Sequence, residues 1–201
     1  MAKSTILALV IGGALLLGVI LTTSSYNSLV SLDQGVQAQW GQVENVYQRR
    51  ADLVPNLVQT VKGAANFERE TLTAVTEARA SVGKITPDAL KSVTSDPEAF
   101  ARFEKAQSQL SSALSRLLVV SENYPQLKAT EGFRDLQAQL EGTENRIAVE
   151  RMRFNEAARA FNSRRDSFPT VVLANFFGDR FREKTYFQAE PGSHTAPAVS
   201  F

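Results

Sequence analysis

The stretch EGFRDLQAQLEGTENRIAVERMRFNEAARAFNSRRDS, residues 131–167, sets the architecture. Phe133, Leu140, Ile147, Phe154, Phe161 and Phe168 recur at strict seven-residue intervals. That period puts one apolar row along one face of a long helix. The partner positions Leu136, Thr143, Glu150, Ala157 and Arg164 are mixed, so one edge of the seam is apolar and the other partly polar. A helix of this kind packs in a bundle against large neighbours rather than in a free dimeric coiled coil. The helix is expected from about Glu131 to Ser167, with Pro169 as its stop.

Upstream, Asp96-Pro97-Glu98 reads as a helix start: Asp as N-cap, Pro at the first helical position, Glu in the first turn. This second helix should reach about Asn123, with Phe103, Ala106, Leu110, Ala113, Leu117, Val120 and Tyr124 facing inward and Pro125 ending it. Gly83–Ser95 forms the connector before it, with Gly83 a helix stop and Pro87 a turn former. Residues 27–82 also read as helix. Leu29, Leu32, Val36, Trp40, Val43, Tyr47, Val54, Leu57, Val61 and Ala65 recur every three or four residues, except for a gap of seven at Tyr47–Val54. Phe67, Leu72, Val75 and Ala78 carry the stripe onward. A kink is expected just before Pro55, with Asp52 able to cap a restarted turn. One kinked helix and two helices in series are both allowed. No strand pattern competes before residue 169.

Thr5–Leu21 (TILALVIGGALLLGVIL) carries no charge and is about as short as a bilayer span can be; Thr22–Ser25 extend it into the interface. The competing reading is a cleaved signal peptide. Its charged start would be Met1 and Lys3 alone, and the helical pattern continues through Tyr26–Leu32 rather than changing at a small-residue cleavage site. A retained anchor is therefore expected, contacting lipid through residues 5–22. Lys3 before the span and Asp33 as the first charge after it place the N-terminus in the cytoplasm by the positive-inside rule. The organisation that follows is an anchor at 1–25, a bundle at 26–168 and an aromatic tail at 169–201. The fold class is all-α: a transmembrane helix, then an antiparallel bundle of three to four long helices.

Composition removes most enzyme chemistry. The 201 residues contain no Cys and one His, His194. Disulfides, zinc knuckles, iron–sulfur clusters and Cys nucleophiles are excluded. Residues 24–166 carry 18 basic and 18 acidic side chains, a balance unlike that of a polyanion-binding surface, and no nucleic-acid partner is expected. The basic run Arg146, Arg151, Arg153, Arg159, Arg164 and Arg165 is offset by Glu150, Glu156 and Asp166 and reads as a solvated face. Glu141 and Glu144, with Asn145 and Arg146, invite comparison with a di-metal site. Such sites use Glu-x-x-His pairs, so a polar layer fixing helix register is the better reading. Glu77 and Arg79 with Arg49 and Arg50 read likewise as a salt-bridge layer near Pro55, and Asn56 as a partner for backbone groups released there. GTENR and GAANF lack the lysine and strand context of a phosphate-cradling loop. No catalytic residue, cofactor, metal or small-molecule substrate is expected.

Half of the twelve Phe lie in the last 34 residues: Phe168, Phe176, Phe177, Phe181, Phe187 and Phe201. Val171–Phe177 suits a short apolar helix ended by Gly178, whereas Pro191, Gly192 and Pro197 favour an extended end. The rings can fold back on the bundle, enter the membrane interface, or dock on a neighbouring subunit or another protein. Phe176, Phe177, Phe181 and Phe201 are the candidate interaction residues.

These stretches together resemble the LemA family of bacterial membrane-anchored proteins. The resemblance is carried by RRADLVPNLVQTVKG (Arg49–Gly63), ETLTAVTEARA (Glu70–Ala80), LSRLLVVSENYPQLKA (Leu114–Ala129), LEGTENRIAVERMRFNEAARAFN (Leu140–Asn162) and SFPTVVLANFFG (Ser167–Gly178). It implies a single-pass inner-membrane protein with an all-α antiparallel bundle and no catalytic residues to carry over. It also implies a short N-terminus outside the cell, against the charge argument, so both orientations stay open. The expected function is a non-enzymatic scaffold that self-associates, as a homo-oligomer, or organises partners at the envelope. The alternative is an adaptor or accessory subunit of an envelope protease or signalling system.

Overall fold

The computed structural model describes residues 2–63, 68–86, 90 and 92–188. The chain forms α1 (Ala2–Lys62), α2 (Arg69–Gly83), α3 (Pro97–Ser121), the single turn α4 (Pro125–Lys128), α5 (Glu131–Asp166) and α6 (Thr170–Phe177). Short 3-10 turns occupy Val93–Ser95 and Gly178–Phe181. No strand occurs among the described residues.

α1 is one 61-residue rod with two different surroundings. Residues 3–24 are exposed all round; the first buried side chain is Ser25. Beyond it the expected stripe turns inward, with Leu29, Val36, Trp40, Val43, Tyr47, Val54, Leu57 and Val61 buried. α2 folds back along the far end of α1, α3 runs parallel to α1, and α5 returns antiparallel to it. Pairings show the directions: Trp40 meets Phe100 and Phe154, while Arg50 meets Gln107 and Glu144. The bundle is thus antiparallel and built from four helices, as expected. Two apolar clusters fill it. One, near the apolar segment, centres on Trp40, Phe100, Phe103, Phe154 and Phe161; the other, at the far end, on Leu57, Val61, Leu110, Leu117 and Phe133.

The helix does not restart at Pro55. α1 passes through it and ends at Lys62, and the chain reverses between there and Arg69. Asp52 is not a cap; its carboxylate accepts from Gln48 Nε2 at 2.7 Å. The reason lies on α2. Pro55 has no N–H, so the Ala51 carbonyl lacks its intrahelical donor. Arg79 Nε supplies that donor at 3.0 Å. Arg79, not Asn56, repairs the defect, and the reversed α2 is what brings it there. Adding an N–H should make Arg79 redundant. Arg79→Ala is expected to cost about 0.5–1.5 kcal/mol, the usual net worth of one hydrogen bond. In a Pro55→Ala background most of that cost should vanish, and a double-mutant cycle by chemical denaturation measures the coupling. Equal costs in both backgrounds would refute the repair.

α3 begins as read. Asp96 accepts from the Glu98 and Ala99 amides at 3.0 and 3.2 Å, with Pro97 in the first turn. Its buried face is wider than the expected row. Phe103, Ala106, Leu110 and Leu117 are buried, but Ala113, Val120 and Tyr124 only half so, and Phe100, Gln107, Leu114 and Ser121 form a second buried row. A helix wedged between α2 on one side and α1 and α5 on the other buries two rows. On α5 the seven-residue series holds from Phe133 to Phe161 and fails at Phe168, which is 84% exposed. The helix has ended at Asp166 and Ser167 is extended (ψ 142°), so the helical phase no longer applies.

Candidate functional site

Arg50 is among the most deeply buried large side chains, 1% exposed, and it lies at the level between the two apolar clusters. Its Nη1 donates to Glu144 Oε1 at 2.9 Å and to Ser111 Oγ. Its Nη2 donates to the carbonyl and the side-chain Oε1 of Gln107, at 3.1 and 2.6 Å. The guanidinium also lies 5.0 Å from the Tyr47 ring centroid. A planar fork of donors is well suited to satisfying oxygens from two helices at once. Glu144 is therefore committed to Arg50. Glu141 is exposed and accepts from Gln137, and Glu77 is exposed. The expected cluster of Glu77, Arg79, Arg49 and Arg50 is thus divided: Arg79 serves the Pro55 break and Arg50 serves the layer. Among the described residues no group of three His, Asp or Glu side chains could hold a metal ion.

A cavity of about 290 Å³ opens beside the layer, lined by Tyr47, Arg50, Glu104, Ser111, Glu144 and Arg151, among others. Burial pushes the Tyr47 hydroxyl up from its ordinary range, opposed in part by Arg151 and Arg50. Burial likewise raises the Glu104 carboxyl, opposed by Arg151 and the Gln188 backbone. Arg151 Nη2 lies 3.5 Å from Glu104.

The second polar feature is the tail. After α6, Gly178 adopts φ +50°, ψ −113°, a backbone shape that side chains other than glycine avoid, and the chain turns back. Residues 182–188 then run extended along α5. Asn162 Nδ2 donates to the Lys184 carbonyl at 2.9 Å, and the Lys184 amide donates to Asn162 Oδ1 at 2.8 Å. Asn155 makes the same pair with Phe187, both at 2.9 Å. The spacing is a geometric match. Seven residues of helix rise about 10.5 Å, and three of extended chain span about 10 Å. Two asparagines one heptad apart thus stand in for a neighbouring strand. Lys184 Nζ reaches Asp33 on α1 at 2.6 Å, and the Thr185 amide donates to the Thr94 carbonyl at 3.0 Å.

The tail aromatics separate by this path. Phe187 enters the core against Trp40, Phe100 and Phe154. Phe181 is fully buried beside Tyr26, and Phe177 also meets Tyr26, at 5.2 Å, while remaining 40% exposed. Phe176 is 82% exposed. Phe201 and His194 lie outside the described residues. The arginine run is not uniformly solvated either. Arg146, Arg153 and Arg159 are exposed, but Arg151 donates to the Gln188 carbonyl at 3.0 Å and Arg165 to the Phe181 carbonyl at 2.8 Å. The long side chains reach over the helix edge and pin the returning tail. Asn162→Ala would leave the Lys184 amide and carbonyl unpaired in the interior. It is expected to cost about 1–3 kcal/mol, the penalty for stranding buried polar groups. Hydrogen exchange of the Lys184 amide should quicken with it; an unchanged rate would show that the tail is held by its rings alone.

By sequence, Arg50 falls in a salt-bridge layer and Glu144 in a polar register layer, but the two are not joined and neither includes Gln107 or Ser111, although the signal for Gln107 is present. Arg50 sits in the seven-residue gap of the α1 stripe, three after Tyr47 and four before Val54. Gln107 lies in the same way between Phe103 and Leu110, and Glu144 between Leu140 and Ile147. A polar residue in the core phase on each of three helices marks a single transverse layer.

The sequence profile of the LemA family matches residues 39–201. The chain is 26% identical over 184 residues to Magnetosome protein MamQ 2 of Paramagnetospirillum magneticum, covering 85% of this chain and 67% of that protein. The figures are the same for Magnetosome protein MamQ of Magnetospirillum gryphiswaldense. Identity to Protein LemA of Metamycoplasma hominis is 25% over 148 residues, 74% of this chain and 63% of the relative. The matched span contains the Arg50 layer, both asparagine clamps and the returning tail, and on its extent the chain belongs to the LemA family.

Proposed function

We propose that this protein is a non-enzymatic scaffold, anchored in the bacterial inner membrane through residues 5–22, whose bundle self-associates or organises partners at the envelope. The observation that carries the reading is the single helix α1. Its first part is apolar, exposed all round and long enough to cross a bilayer; its second part is a core element of the bundle. A rod continuous across that boundary transmits the position of the anchor to the bundle without a flexible linker. Membership in the LemA family supports a role outside catalysis. The buried charged side chains among the described residues, Arg50 and Lys184, are engaged in ion pairs that hold elements together.

Detergent extraction and light scattering test the reading. The full chain should resist carbonate washing of membranes and elute as a homo-oligomer. A small species that elutes with a stoichiometric companion would favour the adaptor reading. Release by carbonate, or a mature N-terminus beyond residue 22, would refute the anchor.

A further inference from the structure

We propose that Phe168, Val172 and Phe176 form a second, lipid-facing contact: α6 lies at the membrane interface beside the point where α1 emerges. The inference rests on the anchor reading and adds a surface that the bundle alone does not need. The depth follows from arithmetic on α1. At 1.5 Å per residue, a hydrocarbon core of about 30 Å takes about 20 residues. Starting at Thr5, that segment ends near residue 24, and Tyr26 falls about 3 Å beyond it, at headgroup level. Tyr26 is the residue that α6 and the turn after it dock on, through Phe177 of α6 at 5.2 Å and Phe181 of the Gly178–Phe181 turn at 5.5 Å. α6 is therefore held at the depth where aromatic rings settle in membranes.

Its two sides differ: one packs on the bundle, and the other is exposed and, apart from Asn175, apolar. Ala174 is buried against the bundle and Phe177 half faces Tyr26. Val172 and Phe176, four apart on α6, are 60% and 82% exposed, and Phe168, in the turn just before it, is 84% exposed. Three large apolar side chains left outward on one short segment, beside an apolar span, have an occupant at hand in the same bilayer. Arg180 and Arg182, both exposed, follow directly and can stay at the polar surface. With α1 crossing and α6 resting on the surface, the bundle would stand at a fixed tilt rather than swing on its anchor.

The chain contains no cysteine, so single labels can be placed cleanly. Full-length protein carrying Val172→Cys or Phe176→Cys, spin-labelled and reconstituted in phosphatidylcholine–phosphatidylglycerol vesicles, is exposed to oxygen, which concentrates in lipid, and to a water-soluble nickel chelate. Asp135→Cys at the opposite end of the bundle is the aqueous reference, and Val10→Cys reports the anchor. Labels at 172 and 176 should collide more with oxygen than with nickel, reversing the ratio seen at 135. A nickel-dominated signal at both positions overturns the inference. So does protection from both reagents, which would mean a second protein chain covers α6. Position 10 judges the anchor separately: a lipid signature there with aqueous labels at 172 and 176 sinks the α6 contact and leaves the anchor standing.

Discussion

Phe154→Ala is expected to destabilise the bundle by about 3–5 kcal/mol, the usual cost of removing a large aromatic ring from a packed core. Phe154 is fully buried. Its ring lies 5.4 Å from Trp40, 6.2 Å from Phe100 and 5.5 Å from Phe187. Helix α1, helix α3 and the returning tail therefore all meet at this one side chain. Truncation would leave a cavity that no single element can collapse to fill. Phe168→Ala provides the contrast. It continues the same seven-residue series, but the ring is 84% exposed, so its removal should change stability by no more than about 0.5 kcal/mol. Denaturation of the full chain in detergent, followed by the fluorescence of Trp40, reads both. Similar costs at 154 and 168 would show that the series still marks the core after α5 has ended.

Glu144→Ala is expected to cost about 3–5 kcal/mol, as for other buried pairs that lose one partner. The reverse change, Arg50→Met, should cost less, about 1–3 kcal/mol, because it strands neutral oxygens of Gln107 and Ser111. The asymmetry follows from burial. Removing Glu144 leaves the guanidinium, 1% exposed, without a counter-charge. Removing Arg50 leaves a carboxylate that is 40% exposed and can be hydrated in place. Denaturation of the two single variants and the double variant decides it. A larger cost for Arg50→Met would mean that the neutral oxygens, not the ion pair, dominate the layer. The layer also bears on assembly of the bundle. Sliding α1 by one turn against α3 or α5 would set Arg50 against apolar neighbours, so the pair fixes register as well as contributing energy.

The sequence by itself determined the elements. An uncharged run, three stripes of apolar residues at helical spacing, the Asp96-Pro97 start and the Gly178 stop are local facts. Local facts specify helices because the helix hydrogen bond spans only four residues. Register within α5 was legible for the same reason, as far as the helix extends. What only the tertiary structure decided are the pairings between elements distant in sequence. Pro55 reads as a kink within one helix or a break between two until α2 supplies Arg79 to the Ala51 carbonyl from 28 residues away. Arg50 and Glu144 read as members of two separate polar layers, and Gln107 as neither, until antiparallel packing sets the three at one height. The tail's path depends on an equality between seven residues of helix rise and three of extended chain, which no local pattern displays. Helical spacing says which way a side chain faces; it does not say what it faces. That second choice depends on chain reversals between α1 and α2, between α2 and α3, and at Gly178, and these determine which stripes meet.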